Sequence, residues 1–125
     1  MSSPPFDRAT LDQLDRLKEV RIETARPDGS VRSTIIWAIV DDGEVFVRSW
    51  KGDRGYWYQA ALDAPEDVAI VVDGARVAVR VVAATDQHSI DRCSAGLMRK
   101  YKRSASLDSM IQPYNLGTTL RLEPR

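Results

Sequence analysis

Ser49-Trp50-Lys51-Gly52-Asp53-Arg54-Gly55-Tyr56-Trp57-Tyr58 is the stretch on which the reading of the chain turns. Leading into it, Val45, Val47 and Ser49 alternate with Phe46, Arg48 and Trp50, the period-two pattern of a strand over 44–50. Leading out of it, Tyr56 to Leu62 reads as a short helix, closed because Pro65 cannot continue it. A loop that runs into a helix N-terminus leaves backbone N–H groups unpaired, and the helix dipole favours negative charge there. Lys51 and Arg54 add full positive charge, and Gly52 and Gly55 let the backbone approach a ligand closely. Read this way, the stretch is a candidate phosphate cradle with flat rings beside it. The same residues also make an ordinary strand-to-helix connection with solvated charges and core aromatics.

Towards the N-terminus, Val20, Ile22 and Thr24 alternate with Arg21 and Glu23 as a half-buried strand. Arg26-Pro27-Asp28-Gly29 is a turn, with Pro27 presetting φ and Gly29 accepting positive φ. Val31 to Val40 reads as one longer strand, apolar on both faces after Thr34 and therefore expected at the centre of a sheet. Asp41-Asp42-Gly43 turns it into the strand that ends at Ser49. That hairpin would carry Arg32 and Thr34, which share a face, towards Lys51 and Arg54 around one anion. Equally, Arg32 pairs with a carboxylate across the sheet and Thr34 is there as a strand former. Ahead of all this, residues 1–9 read as a loose arm, and Thr10 as the cap of a short helix bearing Leu11, Leu14 and Leu17, with Gln13 completing a capping box.

Towards the C-terminus, Val68–Val72 and Arg76–Ala84 flank Asp73-Gly74 as a hairpin. Thr85 or Asp86 then caps a longer helix with Ile90, Cys93, Leu97 and Tyr101 on one stripe. Its basic end, Arg99 to Arg103, reads as a solvated helix terminus favoured by the dipole. Leu116 to Glu123 supplies a last strand. The expected fold is mainly β with peripheral helices, six mostly antiparallel strands in a small closed or partly closed barrel, in a single domain over 1–125.

Bulk properties narrow the chemistry. The 125 residues carry 18 basic and 18 acidic side chains, so no global field draws the chain to nucleic acid or an anionic membrane. One histidine, His88, and one cysteine, Cys93, make a histidine- or cysteine-based metal site improbable, and no metal is expected. No apolar run reaches the ~20 residues that span a bilayer, and the first residues lack the pattern of a signal peptide, so the cytoplasm is expected. No pair of carboxylates is placed to act as acid and base, so no catalytic side chain is assigned. A redox protein needs none, because its cofactor carries the chemistry.

The layout Gly29-Ser30-Val31-Arg32-Ser33-Thr34, Trp37, Asp42-Gly43, Ser49-Trp50-Lys51-Gly52 resembles the flavin split-barrel superfamily. That group includes pyridoxamine 5′-phosphate oxidase-like proteins and deazaflavin-dependent nitroreductases. Trp57-Tyr58-Gln59-Ala60-Ala61-Leu62-Asp63-Ala64-Pro65 is similar to the helix motif of the deazaflavin branch, with Ala60 or Ala61 where that branch has asparagine. More narrowly, the chain resembles the domain of unknown function family 2255. The resemblance implies that the barrel is a six-stranded antiparallel split β-barrel, and that the protein is a homodimer that binds FMN or an 8-hydroxy-5-deazaflavin coenzyme at the subunit interface and transfers hydride with a small-molecule substrate. It carries the cofactor contacts over to Arg32, Ser33, Thr34, Ser49, Lys51, Gly52 and Trp57; the reading of the loop adds Trp50 and Arg54 to the cofactor, and Trp37 and Tyr58 are expected on the substrate. The short run from Lys51 to Trp57 leaves both cofactors open. The alternative is a split-barrel binding protein without turnover.

Overall fold

The computed structural model describes residues 6–125. Helix α1 (Arg8–Arg16) starts earlier than expected, because Asp7 and not Thr10 is its cap: the Asp7 carboxylate accepts the Thr10 N–H at 2.7 Å. Phe6 packs into the core while Asp7, Arg8 and Ala9 are exposed, and residues 1–5 lie outside the described residues. Leu14 is the fully buried residue of the helix stripe.

Strands β1 (Val20–Ala25) and β2 (Val31–Ile36) form an antiparallel hairpin, with Ala25 opposite Val31 and Val20 opposite Ile36. The turn between them is as expected: Gly29 has φ 87°, and Asp28 Oδ1 accepts from the N–H and the hydroxyl of Ser30. The expected single strand over 31–40 is in fact two. β2 stops at Ile36, because its partner β1 begins at Val20 and offers nothing further to pair with. The chain bends at Trp37 and resumes as β3 (Ala38–Asp41), which pairs with β4 (Glu44–Val47) through a two-residue turn. Asp42 and Gly43 both take positive φ there, 50° and 77°, as that turn requires. β5 (Val68–Val72) and β6 (Ala75–Ala83) repeat the device with Asp73 and Gly74, and β7 (Leu120–Pro124) follows after three helices. Those are α3 (Gln87–Lys100) and the short α4 (Leu107–Met110) and α5 (Pro113–Leu116), the last two not anticipated from the sequence.

Among the described residues there are therefore seven strands, not six, in the order β2-β1-β5-β6-β7-β4-β3, with every pairing antiparallel. The two ends of this sheet, β2 and β3, are joined by Trp37 alone. One residue spans only a few ångströms, so the sheet must curl until its edges approach at that corner. The result is an open half-barrel. The strand expected at the centre is split between both edges. Its two apolar faces have another cause: Ala38 faces the barrel interior with Val45, Val47 and Leu122, while Ile39 faces outward to a second core with Phe46, Cys93, Leu97 and Tyr101.

Helix α2 (Tyr56–Asp63) closes the interior with Trp57, Tyr58 and Ala61. Asp86 caps α3, its carboxylate accepting the Ser89 N–H at 3.0 Å and held below the usual carboxylate range by hydrogen bonds from the Ser89 hydroxyl and N–H. The basic end of α3 is less solvated than expected. Lys100 Nζ donates to the carbonyls of Leu14 at 2.7 Å and Ala38 at 2.6 Å, and burial lowers its pKa to about 8. Tyr101 stacks on Trp37 with centroids 3.8 Å apart, and its hydroxyl donates to Lys18 O at 2.7 Å. The bend is thus held from the helix side.

Candidate functional site

The loop after β4 is short because it is folded back on itself. Gly52 N–H donates to Ser49 O, and a single 3₁₀ turn, Gly52–Arg54, ends at Gly55, the first residue before α2. Gly52 has φ 67°, a conformation that costs a non-glycine residue energy. Two side chains from the α5–β7 region pin the loop. Thr118 Oγ1 accepts the Ser49 N–H at 3.1 Å, and Asn115 Nδ2 donates to Trp50 O at 3.3 Å.

Gly55 has a second, steric reason to be glycine. A Cβ there would overlap Ser49 Oγ, so the hydroxyl occupies the space left by the missing side chain. Ser49 is fully buried and its hydroxyl has no hydrogen-bond partner among the described residues. Thr34 Oγ1 is buried and unpartnered in the same way. Both residues line one cavity of about 210 Å³ with Arg32, Trp50, Lys51, Tyr56 and Trp57. A buried hydroxyl without a partner costs ~1–3 kcal/mol, so the cavity carries two hydroxyl donors that the described residues leave unmet. The α2 N-terminus on this cavity has no side-chain cap, unlike α1 and α3.

The expected meeting of Arg32 and Thr34 with the loop does occur, by another route. β2 does not pair with β4; it pairs with β1, with Arg32 opposite Thr24 and Thr34 opposite Ile22. The curl of the sheet brings the β2 edge beside the start of α2. There the Arg32 guanidinium stacks on the Tyr56 ring, 4.2 Å from its centroid, worth ~0.5–1 kcal/mol at an exposed site. The carboxylate pairing considered for Arg32 is not what its side chain makes.

Other expected residues fall elsewhere. Ser33 is exposed and its hydroxyl faces Arg21, whose Nη1 lies at 3.5 Å, so it is outside the cavity. Gly52, Arg54 and Tyr58 line a separate depression on the far side of the loop with Tyr114 and Thr118, and Lys51 borders both. Tyr58, whose hydroxyl is 3.5 Å from Gly117 O, is therefore not beside Trp37. Trp37 instead joins Trp50 and Trp57 around a cavity of about 230 Å³, which shares Ile35, Trp50 and Trp57 with the first.

One residue of that second cavity was not singled out from the sequence. Arg48 lies just past β4 on the face of Phe46, and is only 1% exposed. Alternation in 44–50 already put Arg48 beside Phe46 and not in the interior, but nothing local shows that α3 and α4 cover that face. His88 is exposed, and Cys93 is fully buried with its thiol pKa pushed up to about 11 by burial, as a core residue.

A curled antiparallel sheet whose two edges come from one bent segment, with a glycine-basic loop opening a helix at its mouth, is an open, split half-barrel. Solved structures agree on that fold. The conserved hypothetical protein Rv2991 from Mycobacterium tuberculosis aligns over 99% of this chain and 82% of its own, at 12% identity and TM-score 0.66. The heme storage protein HutZ from Vibrio cholerae aligns over 98% and 92%, at 12% and 0.67. An F420-H2 dependent reductase, FDR-A, aligns over 85% and 94%, at 12% and 0.63. No curated protein matches the chain in sequence. The chain belongs to the family of uncharacterized proteins conserved in bacteria, DUF2255, whose sequence profile matches residues 10–122.

Proposed function

We propose that the chain is an oxidoreductase that holds a flavin-type cofactor, FMN or a deazaflavin coenzyme, for hydride transfer with a small organic substrate. The observation that carries this reading is the pair of buried, unpartnered hydroxyls, Ser49 Oγ and Thr34 Oγ1, in one cavity with Arg32 and Lys51. Phosphate oxygens accept from both hydroxyls, and the two cations match the charge. The uncapped first turn of α2 adds backbone donors of the right polarity. When bound, such a cofactor takes up or gives up a hydride, and the protein supplies binding and orientation.

In this reading Arg32 and Lys51 neutralise the phosphate, and Thr34 and Ser49 donate to it. Trp50 and Trp57 flank the ring, and Trp37 walls the substrate side. Ser33, Arg54 and Tyr58 take no part, because the fold sends them elsewhere. At about 210 Å³ the cradle is smaller than the ~300–1,000 Å³ of a full ligand pocket. A second copy covering the exposed Val31, Ile35, Trp50 and Tyr56 would enlarge it. A homodimer therefore belongs to this reading, and sedimentation velocity checks it.

The test is fluorescence titration of the full chain with each cofactor. Lys51→Ala should weaken binding by ~1–3 kcal/mol, the range of a hydrogen bond to a charged group. Unchanged affinity rejects the cradle. Tight binding without reduction of any substrate would favour a binding protein, a role the split barrel also serves in a heme storage protein.

A further inference from the structure

Arg48 is a buried cation that no carboxylate among the described residues pairs with. Its Nε donates to Thr119 Oγ1 at 2.7 Å, one Nη to Ile90 O at 2.8 Å and the other to Met110 O at 3.3 Å. All three acceptors are neutral. A guanidinium has five N–H groups, so two remain uncommitted. Among the described residues Arg48 forms no ion pair with a carboxylate. Arg92 shows what pairing looks like in this fold: its Nε and Nη1 each lie 2.5 Å from a carboxylate oxygen, of Asp41 and Glu44. Burying a charge is costly unless it is paired, and charge-assisted bonds are the strong ones.

Arg48 lines the cavity of about 230 Å³ whose walls include Trp37, Trp50 and Trp57. Three indoles make a slot for a flat molecule. Drug-sized ligands occupy ~300–1,000 Å³, so this slot suits one ring and not a fused tricycle. The one carboxylate at its edge, Glu19, is exposed and does not reach Arg48. We propose that this cavity seats a small flat organic anion, a single ring bearing a carboxylate, with the carboxylate on Arg48 and the ring among the three indoles. The cavity adjoins the phosphate cradle through Ile35, Trp50 and Trp57, which makes the anion the candidate substrate. Only that last step rests on the cofactor reading.

The experiment titrates benzoate into the full chain without cofactor, following tryptophan fluorescence and the indole N–H resonances, with benzyl alcohol and benzylamine as one-ring controls. Saturable perturbation by benzoate is expected, with benzyl alcohol at least about tenfold weaker and benzylamine without effect. Arg48→Met, if folded by circular dichroism, should lose benzoate binding by about tenfold or more. Arg48 also ties α3, α4 and β7 together, so Glu19→Gln serves as a second variant. Removing the negative charge at the edge should tighten benzoate about two- to threefold, and the gain should shrink at high salt. Equal binding of benzoate and benzyl alcohol, no saturation by about 50 mM, or unchanged affinity in folded Arg48→Met would each overturn the site. Benzoate binding in a chain that takes up neither flavin would keep this site and remove the cofactor. Flavin binding without benzoate binding would do the reverse.

Discussion

Ser49 is where stability and binding pull apart most visibly. Its hydroxyl is buried, unpartnered, and fitted into the gap left by Gly55. Replacing it with alanine removes an unsatisfied polar group, so Ser49→Ala should leave the chain as stable or more stable, by up to ~1–2 kcal/mol in urea denaturation. The same change should weaken cofactor binding. Gly55→Ala should also weaken it, since the new methyl displaces the hydroxyl although Gly55 has φ −61° and ψ 130°, which alanine adopts freely. The two losses should not add, because both act through one oxygen. A marked fall in stability of Ser49→Ala would show the hydroxyl to be structural. At this scale the sequence showed part of the lining of the candidate cavity. Lys51, Ser49 and the glycines were legible because a strand, a loop and a helix start are local patterns. Arg48 was not, since its burial depends on helices whose contacts with it lie 42 and 62 residues away in the chain. Ser33 was assigned by a motif, and the pleat then turned it outward.

At the scale of elements the decisive feature is the bend at Trp37. Residues 31–40 read as one run of strand formers, and no proline or glycine marks a break. What divides the strand is the end of its partner β1 at Val20, a matter of pairing and not of propensity. The bend is stabilised by Tyr101 on Trp37 and by Lys100 on the carbonyl of Ala38. Lys100 gives this contact a pH signature. Its folded pKa of about 8 lies below the ordinary 10.5, so between those values the unfolded chain binds more protons than the folded one. Stability from this group is therefore least below pH 8 and rises with pH across the window. Tyr101, whose pKa burial raises, acts in the opposite sense only near and above pH 10. Urea midpoints at pH 7.5 and 9.5 should show the advantage of wild type over Lys100→Met growing with pH. Parallel curves would mean that Lys100 is solvated and does not hold the bend.

For the whole molecule, strand existence and turn chemistry were readable, because Asp42-Gly43, Asp73-Gly74 and Pro27-Asp28-Gly29 each do their work within four residues. Strand order was not, because it is set by which edges the curl brings together. The same curl places Arg32 and Thr34 next to Lys51 although no hydrogen-bonded ladder links them, so the site is a product of the fold's closure. Its central claim is that this junction holds a phosphate. The most direct measurement is calorimetric titration of the full chain with FMN and with the phosphorylated deazaflavin coenzyme, each against its phosphate-free core. The account predicts saturable binding of at least one phosphorylated form, with its core at least about tenfold weaker, the equivalent of ~1.4 kcal/mol. Equal affinity with and without the phosphate, or no binding of either cofactor, would contradict it.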